Sequence, residues 1–228
     1  MAGTSNITIS KENYLKAIAE AEAEGEVVIA ATLSRWLNVS PPAVTTAIRR
    51  LRRDGYITVE KKGGIALTSE GRQIADRVLH RHHLIERMLV EIFGMEWFKV
   101  HEEAERLEHA VSADFEELLT KRLGPGRACP HGNDFEIYSP AQRRQLGWMP
   151  LDEVEPARVV KVMSVYERDR ELLEFLDRLS VQPGAELEVL HRNYDETITF
   201  EVAGKREQLG RPVARRVWVQ VERVAAAL

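Results

Sequence analysis

Ser40-Pro41-Pro42 admits a helix in essentially one way, as its beginning. Ser40 is a natural N-cap, and a proline at position 42 is tolerated in a first turn because its missing N–H is not needed there. The helix runs to about Asp54, with Val44, Ala47, Ile48 and Leu51 inward, and Gly55 stops it. Ahead of it, Ser10 to Glu24 reads as a first helix capped by Ser10, with Tyr14, Leu15, Ile18 and Ala19 on one side. Ala30 to Leu37 reads as a short second helix, and Asn38-Val39-Ser40 as a turn. Behind it, Tyr56–Glu60 and Ile65–Thr68 are joined by Lys61-Lys62-Gly63-Gly64, a hairpin pattern. Helix, short helix, turn, helix and hairpin is the order of a winged helix-turn-helix.

Thr68 or Ser69 caps a long helix reaching Phe93, where Gly94 ends it. A second helix is expected from Trp97 or Phe98 to Leu123, because Val100, Ala104, Leu107, Val111, Phe115, Leu118 and Leu119 step by three and four. Gly124-Pro125-Gly126 is a hard break, and the stretch to Pro150 reads as a linker. Beyond it, Arg158–Val165, Leu187–Leu190, Ile198–Val202 and Val217–Val219 read as strands and Asp169–Leu179 as a short helix, which together suggest a small β-barrel. The expected organisation is mostly α: a winged helix-turn-helix at 1–76, a helical dimerisation and metal-binding domain with linker at 77–149, and a β domain at 150–228. The apolar faces around Leu84, Leu89, Ile92, Leu107 and Phe115 exceed what one helix pair can bury, so a twofold homodimer is expected.

Charge is unevenly spread over the 228 residues, whose net value is only -4. From Arg35 to Lys62 there are seven basic residues (Arg35, Arg49, Arg50, Arg52, Arg53, Lys61, Lys62) against two acidic ones (Asp54, Glu60). That excess lies on the helix-turn-helix and suits a phosphate backbone. Ser40, Pro41, Pro42, Thr45, Thr46, Arg49 and Arg50 are the expected DNA-facing positions, with Lys61 and Lys62 along the backbone from the hairpin tip. The partner is then double-stranded operator DNA. From Arg81 to Arg127 acids outnumber bases ten to seven, which suggests a second ligand of opposite charge. The lone Cys129 excludes an internal disulfide. There is no run of about 18 apolar residues and no apolar leader in Met1–Lys11, so a cytoplasmic protein without a membrane partner is expected.

The strongest chemical signal is His101-x-x-x-Glu105-x-x-Glu108-His109. At about 100° per residue these four side chains share an arc of roughly 100° on one helix. His82 and Glu86, spaced i, i+4 on the preceding helix, would face them across the Gly94 turn. Imidazole and carboxylate together suit a first-row divalent ion. A solvated, ion-paired face is the bland alternative, favoured for one such pair and disfavoured for two on consecutive helices. Cys129-Pro130-His131-Gly132 reads more readily as a tight loop than as half a metal site, and His80, His83 and His191 have no evident partners. No HExxH occurs, and no nucleophile or base motif supports catalysis. A non-enzymatic metal-activated regulator is the reading preferred; a metalloenzyme and a metal-independent, protein-binding winged helix remain alternatives.

Several stretches resemble the diphtheria-toxin-repressor and manganese-transport-regulator family of metalloregulators. They are Glu12-Asn13-Tyr14-Leu15, Val39 to Thr45, Asp54-Gly55-Tyr56, Leu67 to Gly71, Arg81 to Glu86, Val100 to Glu105, Glu108-His109 and Cys129 to Asn133. The resemblance covers nearly the whole chain and implies a homodimer that binds a palindromic operator when loaded with Mn(II) or Fe(II), to control metal-homeostasis genes. It also implies an SH3-like, FeoA-like third domain. By the same resemblance His82, Glu86 and His101 would form an ancillary site, and Glu105, Glu108 and His109 a primary site with a ligand from the first helix. Third-domain ligands would fall near Glu167 and Glu171. The first-helix position is Met or Asp in the family but Asn13 here, a weaker ligand. Glu105 stands where iron-responsive members carry Cys, and a hard oxygen favours Mn(II) over Fe(II).

Overall fold

The computed structural model describes residues 7–124, 128–134 and 138–222. The N-terminal unit holds α1 (Ile9–Ala23), α2 (Ala30–Leu37), α3 (Pro41–Arg53), β1 (Ile57–Val59) and β2 (Ile65–Leu67). α1 starts at Ile9 with Thr8 at its N-cap, so Ser10 lies inside the helix and does not cap it. Ser40 does occupy the N-cap of α3, yet its hydroxyl makes no capping bond. One of the N–H groups a cap ordinarily binds is missing at Pro42, so the Ser40 side chain stays exposed. β1 and β2 pair antiparallel, Ile57 opposite Leu67, and form the wing. Leu15, Ile18, Leu33, Val44, Leu51 and Ile57 close the core of this unit.

α4 (Ser69–Glu91) follows, with Thr68 Oγ1 accepting from Gly71 N at 3.1 Å. Gly71 is required there: a Cβ would stand 2.0 Å from the Tyr56 carbonyl oxygen. The expected second long helix is in fact two, α5 (Val100–Leu107) and α6 (Ala113–Leu123). Glu108 N still donates to Ala104 O, but Ala110 N reaches back only to Leu107 O, and the chain leaves the helix. Ser112 then accepts from Phe115 N and restarts it. A local cap has beaten continued propagation, and His109 lies beyond the end of α5. Leu84 and Leu89 are buried within their own protomer. The apolar surface left outside is Ile92 and Phe93 at the end of α4 with Phe115 and Leu118 on α6, a correction to which residues of the expected dimer face are free.

The linker is less loop-like than expected. It contains α7 (Pro140–Gln145), opened by a reciprocal Ser139–Gln142 capping box, and β3 (Trp148–Pro150). Pro125 and Gly126 lie outside the described residues. β3 pairs with the last strand, Met149 opposite Val219, so the third unit's sheet begins before the expected boundary at 150. The other elements are β4 (Arg158–Val165), α8 (Arg170–Arg178), β5 (Glu186–Arg192), β6 (Ile198–Val202), β7 (Lys205–Leu209), α9 (Arg211–Ala214) and β8 (Val217–Val221). The strands form one antiparallel six-stranded sheet in the order β3-β8-β4-β5-β6-β7, with α8 closing its core through Leu172, Leu173 and Leu176. The three cores touch: Trp97 and Phe98 pack against the sheet domain, and Tyr166, after β4, packs against the winged-helix core.

Candidate metal centre

α4 presents His82, His83 and Glu86, all with almost no exposure. His82 and Glu86 share a face by their i, i+4 spacing, while His83 points toward the third domain. α5 adds His101. Two further elements close the site from the other side. The 128–134 loop carries Cys129 and His131 and sits flush on β4, where His131 O accepts from Val165 N at 2.9 Å. Gly132 makes that approach possible: its φ is 82°, and a Cβ would stand 1.9 Å from Met163 O. Glu167 enters from the β4–α8 connection.

These donors converge. His82 Nε2 lies 3.0 Å from Glu86 Oε1 and 3.0 Å from His101 Nδ1. His101 Nδ1 lies 3.2 Å from Glu86 Oε1 and 3.8 Å from Glu167 Oε1. His131 Nδ1 lies 3.3 Å from Glu86 and 3.6 Å from Glu167 Oε2. Donor atoms held at right angles about 2.1 Å from one ion stand roughly 3 Å apart, so the spacing fits a shared divalent cation. Two overlapping sets have all ligand atoms within 4.8 Å of one another, His82/Glu86/His101/Glu167 and His83/Glu86/Cys129/Glu167. His101 Nε2 is buried without a hydrogen-bond partner, with Glu105 Oε1 3.7 Å away.

The electrostatics favour a cation. Burial would push the Glu86 carboxyl up, but the charges of His131 and His82 and hydrogen bonds from His101 and His131 hold it well below its usual range. Glu167 is likewise held down, against burial and the Glu86 charge, by His83 and His101. Cys129 behaves oppositely: burial, then the Glu86 and Glu167 charges, push its thiol well above its ordinary value. It stays protonated until a cation compensates the thiolate. Of the sequence expectations, His82, Glu86, His101 and Glu167 meet here. Glu171 does not; it is exposed in the first turn of α8. His83, Cys129 and His131 join the cluster although their sequence neighbourhoods gave them no partner. The Cys129-x-His131 spacing was the one available signal, and only the fold reveals what faces it.

The second expected set is dispersed. His109 Nε2 donates to Asn13 Oδ1 at 2.6 Å, and its Nδ1 lies 2.9 Å from Glu12 Oε2, so α1 holds the ring at both nitrogens. Glu108 Oε2 lies 2.7 Å from His82 Nδ1 and accepts from Lys16 Nζ at 2.8 Å. Glu105 faces the Arg168 guanidinium at 3.3 Å. Glu108 is 3.4 Å from His109 Nε2. Asn13, Lys16, Glu20, Glu105, Glu108 and Arg168 line one open cavity of about 450 Å³. Glu12 and Lys16 were not anticipated here.

On the winged helix, Ser40, Pro41, Pro42, Thr45, Thr46, Arg49, Arg50, Lys61 and Lys62 are all exposed. Thr45 and Thr46 hydroxyls donate back to the carbonyls of Pro41 and Pro42, both at 3.0 Å. No helix among the described residues is long and apolar enough to cross a membrane.

Comparison with known proteins covers all three units. Residues 6–65 match the model of the iron-dependent repressor N-terminal DNA-binding domain, and 68–135 that of the iron-dependent repressor metal-binding and dimerisation domain. Residues 149–221 match the FeoA domain. The diphtheria toxin repressor of Corynebacterium glutamicum is 32% identical over 197 residues, 82% of this chain and 86% of that protein. The iron-dependent repressor IdeR of Mycobacterium tuberculosis is 38% identical over 122 residues, 54% of this chain and 53% of that protein. Among solved structures, a manganese-dependent transcriptional repressor in complex with manganese superposes with a TM-score of 0.82 at 28% identity, covering 93% of this chain and 100% of that one. The manganese regulator SloR superposes at 0.76 and 29% identity, covering 95% of this chain and all of SloR.

Proposed function

The chain belongs to the diphtheria-toxin-repressor family of metal-dependent repressors, and from that premise we propose that it is a metal-activated, dimeric repressor whose activating ion sits where its three domains meet. It is a DNA-binding regulator, not an enzyme. The observation that carries the proposal is Glu86. Its carboxylate is fully buried and faces His82 from its own helix, His101 from α5 and His131 from the linker, with Glu167 of the FeoA domain completing the set. An ion bound there draws the third domain onto the dimerisation domain, and through Tyr166 onto the winged helix. The ion supplies a compensating charge and a fixed coordination geometry; the protein side chains do the rest. A second ion is assigned to the Asn13, Glu105, Glu108 and His109 set.

Mn(II) is favoured over Fe(II). The buried set is mostly imidazole nitrogen and carboxylate oxygen, and Glu105 brings a hard oxygen to the second set. The DNA-reading surface is the Ser40–Arg50 segment with Lys61 and Lys62 on the wing, and the target is a palindromic operator in the cytoplasm. Operator affinity measured with Mn(II), Fe(II), Zn(II) and excess chelator tests the reading. Tight binding only with Mn(II) or Fe(II) is expected. Equal binding with chelator would refute it, as would an unchanged metal response in Glu86→Gln.

A further inference from the structure

Lys16 is buried among groups that the proposed function assigns to metal. Only 3% of the residue is exposed, yet its ammonium lies 2.8 Å from Glu108 Oε2 and 2.9 Å from His82 Nδ1. A buried lysine is costly unless paired, and here its partner is the carboxylate that the first-helix ion would need. The result is visible in the ligand geometry. The buried three-domain cluster is assembled, whereas Glu105, Glu108 and His109 are not among the close ligand sets of the described residues. Glu108 is turned to Lys16 and His82, and His109 to Asn13 and Glu12.

Resting on the metalloregulator reading, we infer that Lys16 is the resident cation of the first-helix site: its ammonium competes with the second divalent ion for Glu108, and so sets that ion's affinity and makes it load after the buried cluster. The fold provides a place for the displaced ammonium. Glu20 Oε1 is buried, makes no hydrogen bond, and lies 3.9 Å from Lys16 Nζ across the same cavity. A shift of roughly 1 Å would convert that ion pair into a hydrogen bond of ordinary length. Lys16 then leaves Glu108 to the ion without being stranded. No bond is made or broken; one cation replaces another at a carboxylate.

Calorimetric titration with Mn(II) decides. The wild type is expected to show a tight event followed by a weaker one. Lys16→Gln removes the competing charge and should tighten the second event by about tenfold or more, well beyond any change in the first event, which Lys16 reaches only through His82. Lys16→Arg retains the charge and should keep the second event weak. Equal second-event affinities in wild type and Lys16→Gln would overturn the inference, as would equal tightening in Lys16→Arg. If Lys16→Gln does not fold, the wild type reports directly. The ¹⁵Nζ resonance of Lys16, titrated with diamagnetic Cd(II), should respond to the first equivalent only through its neighbour His82 and make its larger shift during the second, when the ammonium leaves Glu108. A shift complete at the first equivalent, or no further shift by saturation, overturns the inference. A wild type with no tight event overturns the metalloregulator reading as well, and is distinguished from the other failures by the missing first step.

Discussion

At the scale of single residues, protons and metal compete for the same atoms. Burial and the nearby Lys16 charge pull the His82 imidazole down, but the Glu86 charge and hydrogen bonds to Glu108 and Glu86 prevail and raise it to about 9. Burial pushes Glu108 up, yet His82 and Lys16 hold it at about 2. In the ion-free chain the Glu108 contribution is therefore present above its unfolded value of about 4.3 and is lost as pH falls through about 2. The His82 contribution is fully present below its unfolded value of about 6.5 and is lost as pH rises through about 9. An ion that takes His82 as a ligand must first displace a proton at neutral pH. Loading at pH 7.5 should release protons, and apparent affinity should climb between pH 6.5 and about 9. Calorimetry in two buffers of different ionisation enthalpy measures the release. Equal heats in both would mean that His82 is already neutral or is not a ligand.

At the scale of elements, the recognition helix separates affinity from reading. Arg49, Arg50, Lys61 and Lys62 are exposed point charges suited to phosphate, and operator affinity should fall steeply with salt. Lys62→Ala should weaken specific and non-specific DNA alike and reduce the salt slope by about one. Thr46→Ala removes the γ-methyl and hydroxyl of an exposed side chain and should instead cost about 1 kcal/mol of discrimination at one base pair, with little change in the slope. Competition binding against single-base operator variants distinguishes these outcomes. If Thr46→Ala left discrimination untouched, the reading face would lie elsewhere. This region was the most legible in the sequence, because Ser40-Pro41-Pro42 and the Gly63-Gly64 turn are local signals that need no tertiary partner. The helix through residues 97–123 was less so. Its apolar period continues across the break, while the break depends on Ser112 preferring a cap to a helical interior. The candidate metal centre was half legible. His82, Glu86 and His101 announce themselves by spacing on two helices. Cys129 and His131 depend on a loop seated by Gly132 against β4, a contact between segments about 30 residues apart that no local pattern encodes, and His83 depends on Glu167 arriving from the β4–α8 connection. Lys16 was hidden for the same reason, since a lysine in a first helix looks solvated until Glu108 closes over it.

At the scale of the whole molecule, two linkages remain to be tested, the dimer and the path from ion to DNA. Ile92, Phe93, Phe115 and Leu118 are exposed large apolar side chains on the dimerisation domain, Phe93 at 69% and Leu118 at 61%. Leu118→Glu should give a monomer at micromolar concentration by light scattering, with the metal content of the buried cluster retained. The path from ion to DNA runs through two adjacent residues. Glu167 faces the cluster, and Arg168 turns the opposite way. Its guanidinium donates to Glu20 Oε2 at 2.7 Å and to the Trp36 carbonyl at 3.2 Å, and lies 4.9 Å from the centre of the Trp36 ring. Trp36 is near the end of α2, immediately before the turn into the recognition helix. On the proposed function, an ion that holds Glu167 would also hold Arg168, and Arg168 would hold the helix that precedes the recognition helix. Half-sites must be met about 34 Å apart or at a multiple of that spacing, so small changes at α2 matter for operator binding. Arg168→Met should leave the first equivalent of Mn(II) bound as tightly as in wild type. It should reduce the gain in operator affinity on metal loading by about tenfold, a coupling loss of about 1.4 kcal/mol. Glu167→Gln should lower both quantities, because it removes a donor as well as the link. Fluorescence anisotropy on operator DNA, with one equivalent of Mn(II) and with chelator, gives the gain; calorimetry gives the metal affinity. If Arg168→Met kept the full gain, coupling would have to pass through Tyr166 packing or through α1 instead.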